Sequence, residues 1–497
     1  MSYQKLTERF ETLFNLSHLG SIAYVDQAVN MPPGGNAARS RAMATLNKLK
    51  HEMFTSSEVG EWIEAAKSES LGTWESENLR LIDKSYTLST CLSPDFVEKR
   101  TKASMECEHL WRQIRKDNDW AQFKPALNNI LDLVKEEANI KSQFLGVSPY
   151  DSLLDKFEEG LNSARIDDIF NTVKPFLIDL IPIVIEKQEK EFKQFDFKEV
   201  FSEEDQKSLG LEIVKDIGFD FNHGRLDVSH HPFCGGVPED VRMTTRYNDD
   251  EFGSSLMGVI HETGHAMYEQ NLPKKYLSQP VGGSRGMAVH ESQSLIMEMQ
   301  ACRSVEFIAY LLPKLKKRWA LKGLETVEDL THLYLKVEPG YIRVDADELC
   351  YPLHIIMRYE IEKQLISGEM SVDEIPEAWE HYMQEFLGLS TKKNGEYDYK
   401  DGCMQDPHWA FGGFGYFPTY SLGAMTAAQL FQAAKKEDPS CSLGISTGNF
   451  QPLNTWLNDN VRNFGSKKTF DQIMLDATGS KLDPVYFMDH LKRRYLS

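Results

Sequence analysis

Apolar residues recur three and four positions apart through most of the chain, the spacing that aligns one face of an α-helix. Met43, Leu46, Leu49 and Met53 form one such stripe after the break at Pro32-Pro33-Gly34-Gly35, and Leu79, Ile82 and Tyr86 form a second. A third, Leu127, Ile130, Leu131 and Val134, follows Pro125, a residue suited to the first turn of a helix. This pattern predicts long helices packed as hairpins to about residue 145, with further starts at Asp151, Ser163 and Pro175.

The period changes after residue 222. Arg225–Ser229 and Val241–Tyr247 alternate apolar with polar, and the Gly/Pro-rich stretch HHPFCGGVPED lies between them, which predicts two short strands joined by a loop. Asp249 and Asp250 are placed to cap a helix from about Phe252 to Gln270, and a second long helix is expected from near Gly286 to Leu312. Later helices are expected from Asp345 to Gly368 and from Ser371, and Leu422, Met425 and Ala428 share a helical face. The predicted fold is mainly α, with one small antiparallel β-sheet directly before the helix that carries the most reactive side chains.

Composition narrows the class. With 27 Phe, 19 Tyr and 8 Trp in 497 residues there is enough apolar surface for a large core, which excludes global disorder. One domain over 1–497, arranged as a broad body or as two lobes around a groove, is expected. A formal charge of −20 argues against nucleic acid or an anionic membrane as a general partner. The opening MSYQKLTERF lacks the apolar core of a signal peptide, and the best apolar run, PFLIDLIPIVIEK, is broken by Asp179 and Pro182. Seven scattered cysteines, none spaced CxxC, read as the reduced thiols of a cytoplasmic protein.

His261-Glu262-Thr263-Gly264-His265 is the strongest chemical signal. On a helix the two histidines point the same way with room for one ion, and Glu262 reaches a metal-bound water rather than the metal. With 14 His in the chain, chance yields about 0.04 such patterns. Gly264 costs ~1 kcal/mol inside a helix, so a close approach by backbone or substrate is expected there. Glu291, in His290-Glu291-Ser292-Gln293, is the preferred third ligand, with His290 the alternative. Glu291, Leu295 and Glu298 share a face, so Glu298 can support the ligands from behind. Such a set makes a catalytic zinc site with one position left for water.

Other polar residues are candidates to complete a cleft. His408, in Gly402-Cys-Met-Gln405-Asp406-Pro-His408-Trp409, can donate to an oxyanion, as can Tyr416 or Tyr420. Arg343 can present its fork to a carboxylate, unless Asp347 neutralises it; Arg242, on the second predicted strand, is the other candidate. An arginine facing the zinc would make the enzyme cut at C-termini.

Six ordered motifs resemble those of the M32 metallocarboxypeptidases, the carboxypeptidase Taq group: His231-Pro232-Phe233, Asp240-Val-Arg242-Met-Thr244, the 261–265 pentad, His290–Gln293, Ile342-Arg343-Val-Asp-Ala346-Asp347 and Gly402–Trp409. The resemblance implies zinc on His261, His265 and Glu291, with cobalt able to substitute, and Glu262 as general base and acid. It implies substrate contacts from Arg343, with Arg242, His231 and Gln405 as further candidates. His408 and a tyrosine, Tyr420 in preference to Tyr416, would hold the intermediate. The implied fold is a helical, neurolysin-like peptidase with a deep groove and a small sheet along it, helices of 1–145 covering one side and the motifs of 222–420 forming the core. Homodimers that remove C-terminal residues broadly from peptides are expected. The competing readings are a dipeptidyl-carboxypeptidase or endo-acting oligopeptidase with the same metal chemistry and, from another class, a non-catalytic peptide-binding protein.

Overall fold

The computed structural model describes residues 1–496 apart from Gln194, Asp196, Lys198 and His231. His231, a candidate substrate contact, therefore lies outside the described residues. Helices α1 (Ser2–Val29), α2 (Asn36–Phe54), α3 (Ser57–Ala66) and α4 (Thr73–Thr90) open the chain. Leu6 of α1, Val59 and Ile63 of α3, and Leu79 and Ile82 of α4 close into one buried cluster. Each of these side chains contributes roughly 1.5–3 kcal/mol relative to exposure. The Met43–Met53 stripe behaves differently: no residue of α2 is buried, and Leu49 is 48% exposed.

α5 (Pro94–Ile114), α6 (Trp120–Leu145), α7 (Pro149–Asp155), α8 (Ser163–Glu191) and α9 (Glu203–Ile217) follow. Two prolines depart from expectation. Pro125 lies inside α6, whose start is set by Asp119 accepting the Gln122 N–H at 2.9 Å. Pro175 starts no helix, because α8 runs through both Pro175 and Pro182. An interior proline costs ~3 kcal/mol. The buried stripe Val173, Leu177, Leu180, Ile181 and Val184 holds the helix together across both positions.

The sheet has three strands rather than two: β1 (Gly224–Val228), β2 (Phe233–Val237) and β3 (Asp240–Thr245), in the order β1-β3-β2. β2 pairs antiparallel with β3, whereas β1 pairs parallel with it. The expected antiparallel partnership of the two alternating segments is thus corrected to a mixed sheet. The missing strand lay in the presumed loop, where Gly235 and Gly236 hide any alternation and carry low β-propensity. The chain reverses into β2 and reverses again into β3, so β1 and β3 run the same way.

α10 (Gly253–Gln270) packs on β3 and is followed by α11 (Met287–Leu295). Neither Asp249 nor Asp250 caps α10; Glu251 accepts the Ser254 N–H at 2.9 Å instead. The long helix expected to reach Leu312 is interrupted. α11 gives way to a π-helical turn over Ile296–Ala301, and α12 (Val305–Arg318) starts afresh with Ser304 as its cap. α13 (Val327–Tyr334), α14 (Tyr351–Ser367), α15 (Ile375–Leu387) and α16 (Pro418–Glu437) complete the elements used below.

The chain divides into two compact units. The first comprises Met1–Ser89, Lys193–Tyr334 and Thr426–Leu482, and holds the sheet, α10 and α11. The second comprises Thr90–Phe192, Leu335–Met425 and Asp483–Ser497, and holds α5 to α8, α14 and α15. Among the described residues no helix is long and apolar enough to cross a membrane.

Candidate functional site

In the first unit, α10 places His261 and His265 one turn apart and α11 returns Glu291 beside them. His265 Nε2 lies 3.4 Å and His261 Nε2 3.9 Å from Glu291 Oε2. One ligand atom from each of the three residues lies within 4.8 Å of the others. Gly264 makes this crossing possible. A Cβ there would sit 2.4 Å from the Gln293 carbonyl oxygen and 2.5 Å from the Ser294 Cα, so the two helices touch backbone to backbone. A side chain at 264 would push α11 away and carry Glu291 with it.

The second nitrogen of each histidine is also engaged. His261 Nδ1 is 2.9 Å from Glu298 Oε2, and Arg303 donates to the other Glu298 oxygen at 3.0 Å. His265 Nδ1 is 2.7 Å from His290 Nδ1, and His290 Nε2 is 2.8 Å from Glu269 Oε1. A carboxylate only accepts, so the Glu269 contact puts a proton on His290 Nε2. With that proton at Nε2, His290 accepts at Nδ1 from His265, leaving the His265 Nε2 lone pair facing Glu291. Glu298 selects the same tautomer in His261. With a single proton on each ring, both Nε2 lone pairs point into one space, the orientation a metal requires, and a bound cation takes the place of the second proton on His261.

A divalent cation fits this donor set. Tetrahedral zinc with bonds of 2.0–2.1 Å keeps its ligand atoms about 3.3 Å apart, close to the 3.4 and 3.9 Å that separate Glu291 Oε2 from His265 and His261. The charge around His261 also favours a cation. Burial opposes its imidazolium, but Glu291, Glu298 and Glu262 overcome burial and push the pKa to about 10. His265 is drawn down to about 4, by burial first. Burial raises Glu262 to about 7, which suits a carboxyl that takes up and returns a proton near neutrality.

His290 lies outside this three-ligand set and supports His265 from behind instead. Glu269 escaped the sequence reading, although its position four residues after His265 puts it on the same face of α10.

The second unit holds another polar cluster. Arg343, in a 3-10 turn over Arg343–Asp345, was expected to meet a substrate carboxylate or Asp347. Asp347 instead accepts the backbone N–H groups of Glu338, Leu349 and Cys350. Arg343 pairs with Asp406 through Nη2 at 2.8 Å and Nε at 3.2 Å, and Arg358 of α14 reaches the other Asp406 oxygen at 2.7 Å. Two guanidiniums on one carboxylate leave a net charge of one. Nothing in the sequence marked Arg358 for this part.

His408 Nε2 is 3.3 Å from the Tyr420 hydroxyl, and the Tyr420 ring lies 4.9 Å from the Arg343 guanidinium. Burial, reinforced by Arg343 and Arg358 against Asp406, lowers His408 to about 3 and keeps it neutral. Tyr416 packs edge-on against Phe157 and Tyr420. Gln405 is occupied by backbone: it accepts the Arg343 N–H at 2.8 Å and donates to the carbonyls of Tyr341, Asp401 and Gly402. It thereby seats the arginine loop and has no amide hydrogen left for substrate. Arg242, in the first unit, is bidentate to Asp240 at 2.9 Å, and His18 joins the same carboxylate at 3.0 Å.

Residues 5–495 match the family Carboxypeptidase Taq (M32) metallopeptidase. Thermostable carboxypeptidase 1 of Thermus thermophilus is 34% identical, the match covering 99% of this chain and 98% of the relative. Its namesake in Pyrococcus furiosus is 31% identical with the same coverage. Among solved structures, Trypanosoma cruzi metallocarboxypeptidase 1 superposes with a TM-score of 0.97 at 39% identity, covering 100% of this chain and 99% of its own. The M32 carboxypeptidase from Deinococcus radiodurans superposes with a TM-score of 0.94 at 29% identity, covering 99% and 98%. Helical fold, ordered motifs and near-complete alignment agree: the chain belongs to the carboxypeptidase Taq (M32) metallopeptidase family and is a metallocarboxypeptidase.

Proposed function

We propose that the enzyme releases single amino acids from free peptide C-termini with broad side-chain tolerance, using zinc held by His261, His265 and Glu291. The observation that carries this reading is the convergence of three ligand atoms whose histidines have their other nitrogens already bonded. A borderline nitrogen and oxygen set of this kind suits zinc and accepts cobalt. When bound, zinc polarises a carbonyl and lowers the pKa of water toward ~7.

Glu262 takes the proton released in the attack and hands it to the departing amino group. Neutral His408 and Tyr420 donate to the oxygen on which charge develops, with Tyr416 as the alternative hydroxyl. The net positive Arg343–Asp406–Arg358 cluster attracts the substrate carboxylate. Arg242 is the weaker candidate, because Asp240 already matches its charge. The reading includes a homodimer, which rests on the family resemblance, and a cytoplasmic setting, supported by seven free cysteines.

A time course on paired peptides with free and amidated C-termini tests the proposal. Single residues should leave the free peptide only, activity should stop with chelator, and zinc or cobalt should restore it. Equal cleavage of the amidated peptide, or release of dipeptides, would overturn the end-cutting assignment.

A further inference from the structure

α5 carries two distinct faces. Phe96, Ala103, Cys107 and Ile114 are buried on one. Rotated by about 70° at 100° per residue, a second row holds Arg100, Ser104 and Trp111, and Arg115, in the 3-10 turn Arg115–Asp117 that continues the helix, extends it. Each residue of this row donates to a backbone carbonyl in a single irregular segment. Arg100 reaches Gly412 O at 3.1 Å and Ser104 reaches Phe411 O at 2.8 Å. Trp111 Nε1 reaches Met404 O at 2.8 Å and Arg115 Nε reaches Lys400 O at 3.3 Å. Just beyond the helix, Asn118 donates to Tyr397 O at 3.0 Å and accepts the Lys400 N–H at 2.7 Å.

The acceptors run backward, from 412 to 397, as the donors run forward. Every one is main chain, so the row grips backbone rather than side chains. The segment it grips is built of turns, with no helix or strand between Tyr397 and Pro418 to hold its shape. It carries Gln405, Asp406 and His408. Trp111 and Ser104 bracket the reactive stretch, one bonding four residues before His408 and the other three after it.

We infer that this face of α5 is a splint, and that Ser104 and Trp111 are positioning residues that hold His408 in the register at which it meets Tyr420. The inference rests on the catalytic assignment of His408 above. A segment built of turns has few repeating bonds of its own, so outside bonds help to keep its side chains in place, and displacement of a donor by about an ångström can cost up to 100-fold in rate.

The test uses the full-length metal-loaded enzyme and four variants: Ser104→Ala, Trp111→Phe, their double, and Ser104→Thr. Trp111→Phe keeps a ring and removes the N–H donor; Ser104→Thr keeps the hydroxyl. The double variant should lower kcat about tenfold, with KM and zinc affinity by chelator competition within twofold of the parent, and Ser104→Thr should keep the parental kcat. A purely structural role would instead lower Tm and leave kcat unchanged at temperatures where the variant stays folded. If the double variant does not fold, Ser104→Ala alone carries the test, with a kcat loss of about threefold that threonine restores. Full kcat in the alanine and phenylalanine variants overturns the splint. His408→Ala is assayed in parallel: its loss of kcat beside unchanged splint variants would sink only this inference, whereas full kcat in His408→Ala would sink the catalytic reading and the splint with it.

Discussion

The two polar clusters of the molecule are built in different ways. The His261, His265 and Glu291 set stands on regular helices, where backbone periodicity aims the side chains and a glycine sets the helix spacing. The Arg343, Asp406 and His408 set stands on turns and takes its shape from partners elsewhere in the second unit, Arg358 and the α5 row among them. The first kind of site is robust to change around it, except at its contact points. The second depends on many bonds, each individually modest.

Four changes sharpen or break this contrast. The largest effect is expected for Glu262→Gln, which should cut kcat about a thousandfold or more while leaving zinc content intact. Equal loss of metal, read by elemental analysis, would show that Glu262 belongs to the ligand scaffold instead. Asp406→Asn comes next. It strips the shared counter-ion from two buried arginines and should cost about 3–5 kcal/mol of unfolding free energy in urea titration. A loss below 1 kcal/mol would mean that the turn-built cluster does not depend on its central carboxylate.

His290→Phe tests the helix-built site where it is most exposed to change. Removing the acceptor for His265 should weaken zinc binding by about 10–100-fold, measured by chelator competition, with unfolding stability little altered. Unchanged affinity would detach His290 from the metal centre.

The smallest effect concerns pH. His354 of α14 is fully buried, donates from Nε2 to the Gly340 carbonyl, and is lowered to about 3, by burial first and then by Arg358 and Arg343. Its pKa is depressed on folding, so between pH 3 and 6.5 the unfolded chain binds the extra proton. Stability should therefore be complete above pH 6.5 and fall by about 1 kcal/mol per unit below it from this residue alone. His354→Gln should flatten that slope in denaturant titrations at pH 6.5, 5.5 and 4.5. An identical slope in parent and variant would place the titration elsewhere.

How far residues alone reveal this molecule follows the same contrast. α10 and its boundary at Gln270 could be read directly, and so could the turning of Glu291 and Glu298 to one side, where both meet His261. The glycine at 264 correctly signalled a close approach, and the structure identifies it as the backbone of α11. What was misread depended on packing. α8 persists through Pro175 because its buried stripe offsets the lost hydrogen bond, and β2 forms from a glycine-rich stretch because β3 supplies a partner. The π turn after Leu295 left no trace in the apolar spacing.

The order of residues by itself determined that two histidines one helical turn apart would face the same space with a carboxylate beside them, because helix geometry repeats every 3.6 residues wherever a helix forms. It also determined the family, through motifs that keep their order along the chain. Only the tertiary structure decided which charge meets which. Asp406 is 63 residues from Arg343 and 48 from Arg358, and no local rule selects it from 75 acidic residues. Coulomb attraction depends on distance in space, and that distance exists only once the helices have packed.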